Sequence, residues 1–151
     1  MTSTAKPWPR VLAVAAAVLL AAVTVMLSSP AQAQVNAASW TCYAGGQSNN
    51  GDADSRDIWG SCEEAGSGSV GAIFQALGEH FTVCDRFPNG HATFAQLTVE
   101  GNGTATFYTN GGGGDCDDFD LSFDEGLSVS LKVCTSDTAG ATCTRATGGI
   151  T

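Results

Sequence analysis

Alternating apolar and polar residues predict that most of this chain is built from β-strands. The strictest alternation occupies residues 116–124, where large apolar side chains face one way and acidic or hydroxyl side chains face the other. A period of two residues is the repeat of a pleated strand with one buried face. The pattern resumes over 127–133 after a tight turn at Glu125–Gly126. We therefore predict that these two runs form a hairpin.

A second hairpin is predicted over 78–101, and the remaining strands are expected to add to it. Apolar residues alternate with other residues over 81–84, and a period of two also fits 92–99, where the sequence leaves open which face is buried. Between these runs, Pro88 fixes its own φ angle, while Asn89–Gly90 tolerates positive φ. The segment therefore has the composition of two strands joined by a turn.

Weaker patterns indicate the other elements. Residues 44–69 are poor in apolar residues and rich in Gly, Ser, Asn and Asp, so we expect a loop in which Trp59 packs inward. The run 70–77 fits either a strand or a helical turn. Short strands are expected at 39–43 and 104–109, and an edge strand is expected around 143–146.

These elements predict an all-β fold, because the strands are short, their connections are Gly-rich and helical periodicity is nearly absent. The simplest arrangement is a small antiparallel β-sandwich stapled by three disulfides, and a β-barrel is the alternative. We expect one domain over 34–151. Within it, 34–77 form an N-terminal tail and a Gly/Asp-rich loop region, and 78–151 form the β-sandwich core.

Residues 1–33 have the features of a signal peptide. Lys6 and Arg10 precede an apolar run over 11–27, and Ala31-Gln32-Ala33 matches a signal-peptidase site. The apolar run is at the short limit for crossing a bilayer, so cleavage after Ala33 is favoured over a membrane anchor. We therefore expect a secreted, extracellular protein without membrane attachment after cleavage.

The charge of the chain argues against nucleic-acid partners. All 15 acidic residues, but only four of the six basic ones, follow residue 33, which leaves the mature chain with a formal net charge of −11. Such an acidic chain is repelled by phosphate backbones and by anionic membrane surfaces. Solubility outside the cell is the simplest interpretation of the charge.

Six cysteines remain after residue 33, and an even number in a small exported chain indicates three disulfides. No Cys-x-x-Cys pair is present, so the spacing favours neither a zinc knuckle nor a redox motif. Six cysteines allow 15 pairings. We favour the sequential one because short loops close most easily. The predicted bridges are Cys42–Cys62, Cys84–Cys116 and Cys134–Cys143.

The acidic run that contains Asp52, Asp54 and Asp57 is a candidate calcium site, because calcium prefers oxygen ligands. The EF-hand pattern fails, since Arg56 occupies the fifth position and Asp57 replaces the glycine required at the sixth. A solvated acidic loop is therefore the favoured interpretation. No other cofactor or metal is expected.

No catalytic motif is found. His80 and His91 both belong to the predicted 78–101 hairpin and would be cross-strand neighbours able to share a metal, yet surface histidines are the favoured interpretation. Carbohydrate binding would require exposed aromatic rings, and we expect the four candidates to serve instead as core residues or loop anchors. These candidates are Trp40, Tyr43, Trp59 and Tyr108.

Two stretches carry a resemblance to a protein family. Residues 78–83 (GEHFTV) with Asp85 and the Asn89–Gly90 turn, and residues 124–134 (DEGLSVSLKVC) with Cys143, resemble small secreted actinobacterial proteins of the Streptomyces type. Those are disulfide-containing β-sandwich proteins of unassigned function. The resemblance covers about 78–147 and implies the fold and secretion, but no catalytic residues.

The predicted function is a secreted, non-enzymatic binding or adaptor module whose partner is a protein or a glycan. One form is a subunit of a larger exported, toxin-type assembly, docked by strand addition. The expected partner-binding residues lie near the mature N-terminus and are Gln34, Val35, Asn36 and Trp40. The alternative is a small secreted hydrolase, or a protease inhibitor that uses the loop between Cys42 and Cys62.

Overall fold

The computed structural model describes residues 39–49, 51, 54–109 and 113–151, and these residues form β-strands joined by turns and loops. The strands are β1 (Trp40–Ser48), β2 (Arg56–Glu64), β3 (Gly68–Gln75), β4 (His80–Asp85), β5 (Phe94–Val99), β6 (Gly103–Tyr108), β7 (Asp115–Asp120), β8 (Ser128–Cys134) and β9 (Cys143–Ile150). No helix in the described ranges is long and apolar enough to cross a membrane. The predicted signal peptide and the tail 34–38 lie outside the described residues.

Every strand pairing is antiparallel, and the hydrogen-bonded order is β6-β5-β8-β9-β2-β3-β4-β7, with β1 on β2. The sheet curls into a half-barrel, so that β8 packs face to face against β2 and β3. The all-β, antiparallel fold class with three disulfides is therefore confirmed.

The core lies between the two halves of the curled sheet. Along β3, β4, β5 and β8, buried residues alternate with half-buried or exposed ones, as period-two strands require. The fully buried side chains of this core include Ile58, Phe74, Phe81, Val83, Leu97, Leu131 and Val133. Phe81, Val83, Leu131 and Val133 thus occupy the face that the alternation predicts to be buried. In β5, where the alternation left the buried face open, the buried residues are Ala95, Leu97 and Val99.

Both predicted hairpins are wrong. β4 pairs with β3 and β7, whereas β5 pairs with β6 and β8, so residues 86–93 cross from one half of the sheet to the other. The second pair is separated in the same way, because β7 joins β4 while β8 joins β5 and β9. Period-two alternation identifies a strand and its faces, but it carries no information about which strand is the neighbour.

The predicted loop over 44–69 is also wrong, because most of it belongs to β1 and β2. These strands pair along their whole length, from Trp40 opposite Glu64 to Ser48 opposite Arg56. Glycine and hydroxyl residues concealed the period from sequence inspection. Trp59, which was expected to pack inward, lies on the solvent side of β2 and is 37% exposed.

Two further elements are now defined. The run 70–77 lies mostly in strand β3 rather than in a helical turn. The predicted edge strand around 143–146 is the start of β9, which pairs with β8 along its length. β9 also meets β2 at one position, Arg56 opposite Ile150, so it is not a free edge over its whole length.

The crossing segment is held by a buried carboxylate at its start. Asp85 is only 2% exposed, and its Oδ1 accepts a hydrogen bond from Phe87 N at 3.0 Å. Its Oδ2 accepts from Thr93 N at 3.1 Å and from Thr109 Oγ1 at 3.4 Å. The backbone oxygen of Asp85 accepts from Gly114 N at 2.7 Å. One residue thus ties the end of β4 to the ends of β5, β6 and β7.

The sequential disulfide pairing is confirmed. Each bridge joins two residues that lie directly opposite each other on neighbouring strands. Cys42 and Cys62 join β1 to β2, Cys84 and Cys116 join β4 to β7, and the third bridge joins β8 to β9. Three disulfides in a small β domain are consistent with an extracellular protein.

We predict that Asp85→Asn destabilises the fold by about 1–3 kcal/mol, because the amide nitrogen cannot accept the backbone hydrogen bond that a carboxylate oxygen accepts. Denaturant unfolding of the oxidised protein measures the change. Asp124→Asn removes the same charge at an exposed position and should alter stability by less than about 0.5 kcal/mol. Equal effects of the two substitutions would contradict the role assigned to Asp85.

Candidate functional site

The solvent side of the layer β1-β2-β3-β4-β7, called here the outer face, carries the candidate site. In antiparallel strands, residues directly opposite each other lie on the same face, so the register defines rows of side chains across this layer. One row is Gly45, Trp59, Ile73, Thr82 and Asp118, and the next is Tyr43, Ser61, Gly71, Cys84 and Cys116. The outer face therefore combines two aromatic rings, two glycines, hydroxyl groups and a disulfide.

An open hollow of about 290 Å³ lies on this face between Trp59 and Arg86, and we call it the hollow. Gly71 forms part of its floor. A Cβ atom at position 71 would lie 3.4 Å from Gly60 O and 3.6 Å from Ser61 Cβ, which are ordinary contacts. Glycine is therefore not forced on this position by crowding, and its missing side chain keeps the floor of the hollow open.

Trp59 forms one wall of the hollow. Its indole lies over Gly45 of the neighbouring strand, where an added Cβ would approach Trp59 Cζ2 to 2.9 Å and Nε1 to 3.2 Å. Unlike Gly71, Gly45 is thus required by its neighbour, because any side chain there would displace the indole. The paired glycine fixes the ring on the sheet surface while leaving it partly exposed to solvent.

Tyr43 extends the site toward β1. It lies opposite Ser61, is 51% exposed, and lines a second open hollow of about 480 Å³. The two hollows adjoin, since Glu63 and Ser69 line both of them. An elongated ligand could therefore contact both aromatic rings.

Polar groups surround the aromatic ones. Glu63 lies opposite Ser69, and Arg86 N donates to Ser69 O at 2.8 Å, so Glu63 and Arg86 line the same end of the hollow. At the other end, Thr82 Oγ1 donates to Asp118 Oδ1 at 2.7 Å, which leaves the Thr82 oxygen able to accept. The hollow thus offers donors and acceptors around an apolar wall.

The predicted aromatic roles are corrected for three of the four residues. Tyr43, Trp59 and Tyr108 are exposed rather than core residues. Trp40 is a half-buried anchor, as expected, and its ring meets that of Phe87 edge-on with centroids 4.8 Å apart. The register of β1 on β2 was the missing signal, because without it no face could be assigned to Trp59.

Trp40 is the one predicted partner-binding residue within the described ranges, since Gln34, Val35 and Asn36 lie outside them. The calcium candidates are likewise divided. Asp52 lies outside the described residues, Asp54 is exposed, and Asp57 is buried with its Oδ1 accepting from Ala76 N at 2.8 Å. That carboxylate therefore serves the backbone. Among the described residues, no three His, Cys, Asp or Glu side chains are grouped to hold a metal ion.

The two histidines are not cross-strand neighbours, which corrects the prediction drawn from the 78–101 hairpin. His80 Nδ1 lies 3.4 Å from Asp118 Oδ2, and His91 Nδ1 lies 3.5 Å from Asp137 Oδ1. Both imidazoles are about half exposed. They are surface histidines, each beside its own carboxylate.

No family model, curated protein or solved structure matches this chain. The resemblance to small secreted actinobacterial proteins therefore stays a prediction. The geometry of the outer face carries the functional argument that follows.

We predict that Gly45→Ala displaces the Trp59 indole, because the added methyl group would overlap the ring. In a Trp8→Phe, Trp40→Phe background Trp59 is the single tryptophan, so its emission and acrylamide quenching report its position. Displacement should increase quenching and cost about 1 kcal/mol of stability. Gly71→Ala is the matched control and should leave the emission unchanged. Unaltered quenching in Gly45→Ala would refute this packing.

Proposed function

We propose that this chain is a secreted, non-enzymatic binding module that holds a neutral carbohydrate on its outer face. The observation that carries the proposal is the hollow bounded by the partly exposed Trp59 ring and floored by Gly71. Its volume of about 290 Å³ is just below the lower limit of about 300 Å³ for small-molecule sites. A ligand with one or two rings is therefore expected.

Sugar rings suit this combination of groups. The C–H-bearing face of a pyranose packs against an aromatic ring, while its hydroxyls exchange hydrogen bonds with hydroxyl, carboxylate and guanidinium groups. The wall formed by Trp59 and Ile73 supplies the apolar contact, and Ser61, Glu63 and Arg86 line the same hollow. Tyr43 in the adjoining hollow offers a second ring for the next sugar unit.

The site favours binding over hydrolysis. Glycoside hydrolysis ordinarily uses two carboxyl groups on opposite sides of the scissile bond. The lining of the hollow holds one carboxylate, that of Glu63, and no histidine. The protease-inhibitor alternative is also weakened, because most of the segment between Cys42 and Cys62 lies in paired strands rather than in an exposed loop.

Charge sets the class of carbohydrate. The chain carries a formal net charge of −9, which becomes −11 if residues 1–33 are removed. Acidic glycans are repelled by such a field, so neutral glycans are favoured. Secretion is supported by the leader-like composition of 1–33 and by the three disulfides, which persist in oxidising compartments.

We predict that a glycan array retains the protein on neutral oligosaccharides, and that soluble ligand shifts the Trp59 emission. Trp59→Ala should weaken binding at least about tenfold, since it removes the apolar wall. Gly71→Val should abolish binding by filling the hollow, while a β-branched residue in a strand keeps the fold stable.

The matched control is Tyr108→Ala, which removes an exposed ring (56%, against 37% for Trp59) from β6, away from the outer face. It should leave the affinity unchanged, and isothermal titration of all the variants compares them directly. If the array retains no glycan, or if Gly71→Val binds as tightly as the unaltered protein, the proposal fails.

A further inference from the structure

The hydrogen-bonded path from β6 to β7, from which β1 branches at β2, has two ends that do not pair with each other. β6 and β7 are the first and last strands in the hydrogen-bonded order, and among the described residues each pairs on one side only. Their apolar side chains nevertheless meet, since the rings of Phe107 and Phe119 have centroids 4.7 Å apart. We call this junction, formed by Phe107, Phe119, Leu121 and Phe123, the seam.

Beside the ring pair, the seam opens into an apolar slot of about 210 Å³. Leu97 and Val99 form its deep wall, and Phe107, Leu121 and Phe123 form its sides. The last three are only partly buried, although they pack against the core. The slot therefore has space for an apolar side chain. Burying one there is favourable, because it removes exposed apolar area from water.

The far wall of the slot is fixed in place by Glu79. Leu121 N donates to Glu79 O at 3.2 Å, and Phe123 N donates to Glu79 Oε2 at 2.6 Å. These bonds tie the residues after β7 to Glu79, and Leu121 and Phe123 line the slot together with Phe107 of β6. The slot is thus largely formed before any ligand arrives, which lowers the entropy cost of filling it.

β6 offers free backbone groups next to this slot. Thr109 N donates to Thr93 O at 3.0 Å, and hydrogen-bonded and non-hydrogen-bonded pairs alternate along antiparallel strands. The N–H groups of Thr104, Thr106 and Tyr108 consequently point away from β5. They form an edge to which another strand could add.

The two ends of the sheet are protected very differently. β6 has no charged residue and no register shift in its pairing, whereas four of the six residues of β7 are aspartates. Inward-pointing charges, proline and bulges are the devices that normally prevent strand addition, and β6 has none of them. Strand addition is therefore expected at β6, with the acidic β7 facing the added strand.

The carboxylates around the slot indicate which kind of strand could add to β6. Asp118 and Asp120 project from the face of β7 opposite Phe119, which is the face toward which side chains alternating with slot-filling ones would point. Asp124 and Glu125 follow the slot, so an added strand would lie among carboxylates. A second copy of this chain, with its formal net charge of −9, would be repelled there. A strand that places apolar residues in the slot and lysine or arginine at the alternating positions satisfies both the burial and the charge.

We propose that the seam binds an extended cationic segment of a protein partner by strand addition to β6. The segment runs antiparallel to β6 and takes Thr104, Thr106 and Tyr108 as backbone partners. Because successive antiparallel pairings leave β6 and β7 running in opposite directions, the same segment would lie parallel to β7. Its apolar side chains fill the slot and cover Phe107 and Phe119.

The test uses a fluorescein-labelled peptide of about nine residues in which lysine alternates with valine, and a matched peptide with glutamate in place of lysine. Fluorescence anisotropy against the full oxidised protein should show binding of the lysine peptide and none of the glutamate peptide. Thr106→Pro removes one outward N–H without removing a backbone hydrogen bond to β5 and should weaken binding at least about tenfold. The side-chain bond from Gln96 Nε2 to Thr106 Oγ1 is lost in this variant and equally in Thr106→Val.

Thr106→Val is the matched control, because it keeps the N–H group, and it should bind the lysine peptide as the unaltered protein does. Melting curves of both variants establish that the fold is intact. Trp59→Ala should also leave peptide binding unchanged, which separates this site from the outer face.

Four results would overturn the proposal. The first is equal binding of the lysine and glutamate peptides, and the second is equal binding by the Thr106→Pro and Thr106→Val variants. The third is a dimer of the protein alone, detected by light scattering and dissociated by Thr106→Pro, which would make a second copy the occupant. If the lysine peptide binds only after residues 34–38 are removed, the chain's own N-terminal segment is the occupant instead.

Discussion

The buried carboxylate of Asp85 is the contact on which the curled sheet most depends. The chain leaves β4 at this residue and must cross to the other half of the sheet before β5 begins. A crossing segment exposes backbone groups that no strand satisfies, and burying them without partners would cost free energy. Asp85 supplies acceptors to both ends of the crossing and to Thr109 at the end of β6. The sheet can therefore fold over its core at this point rather than continue flat.

Much of this fold was predictable, and the limits of prediction have physical causes. Alternation located the strands around Phe81, Leu97, Phe119 and Leu131, and for all but the Leu97 strand it also predicted the inward face. Burial can be predicted in this way because it is a property of each strand by itself. The pairing of the strands was predicted wrongly, because it depends on the crossing held by Asp85. The sequence does not show which N–H groups will donate hydrogen bonds to a single aspartate. Short loops closed the disulfides as expected.

The candidate site was less predictable than the fold. Trp59 and Tyr43 could be recognised as aromatic candidates, yet their exposure follows from the register of β1 on β2. The contribution of Gly45 and Gly71 is even further from the sequence. One glycine is required because an indole lies over it, and the other leaves a floor open, although both read simply as strand-weakening residues. Because the site depends on the absence of side chains at these two glycines, it can be recognised only when the neighbouring strands are known.

The connectivity of the disulfides has a consequence for how the protein is made. The three closed loops, 42–62, 84–116 and 134–143, follow one another along the chain without nesting or interlocking. Each bridge can therefore form as soon as its second cysteine has emerged, because no other cysteine lies between the two that pair. A chain threaded from its N-terminus through an export channel would meet oxidants in this same order. In a chain exported in this way, oxidation would keep pace with translocation, and pairing in order of emergence would produce the native set of bridges without a reshuffling step.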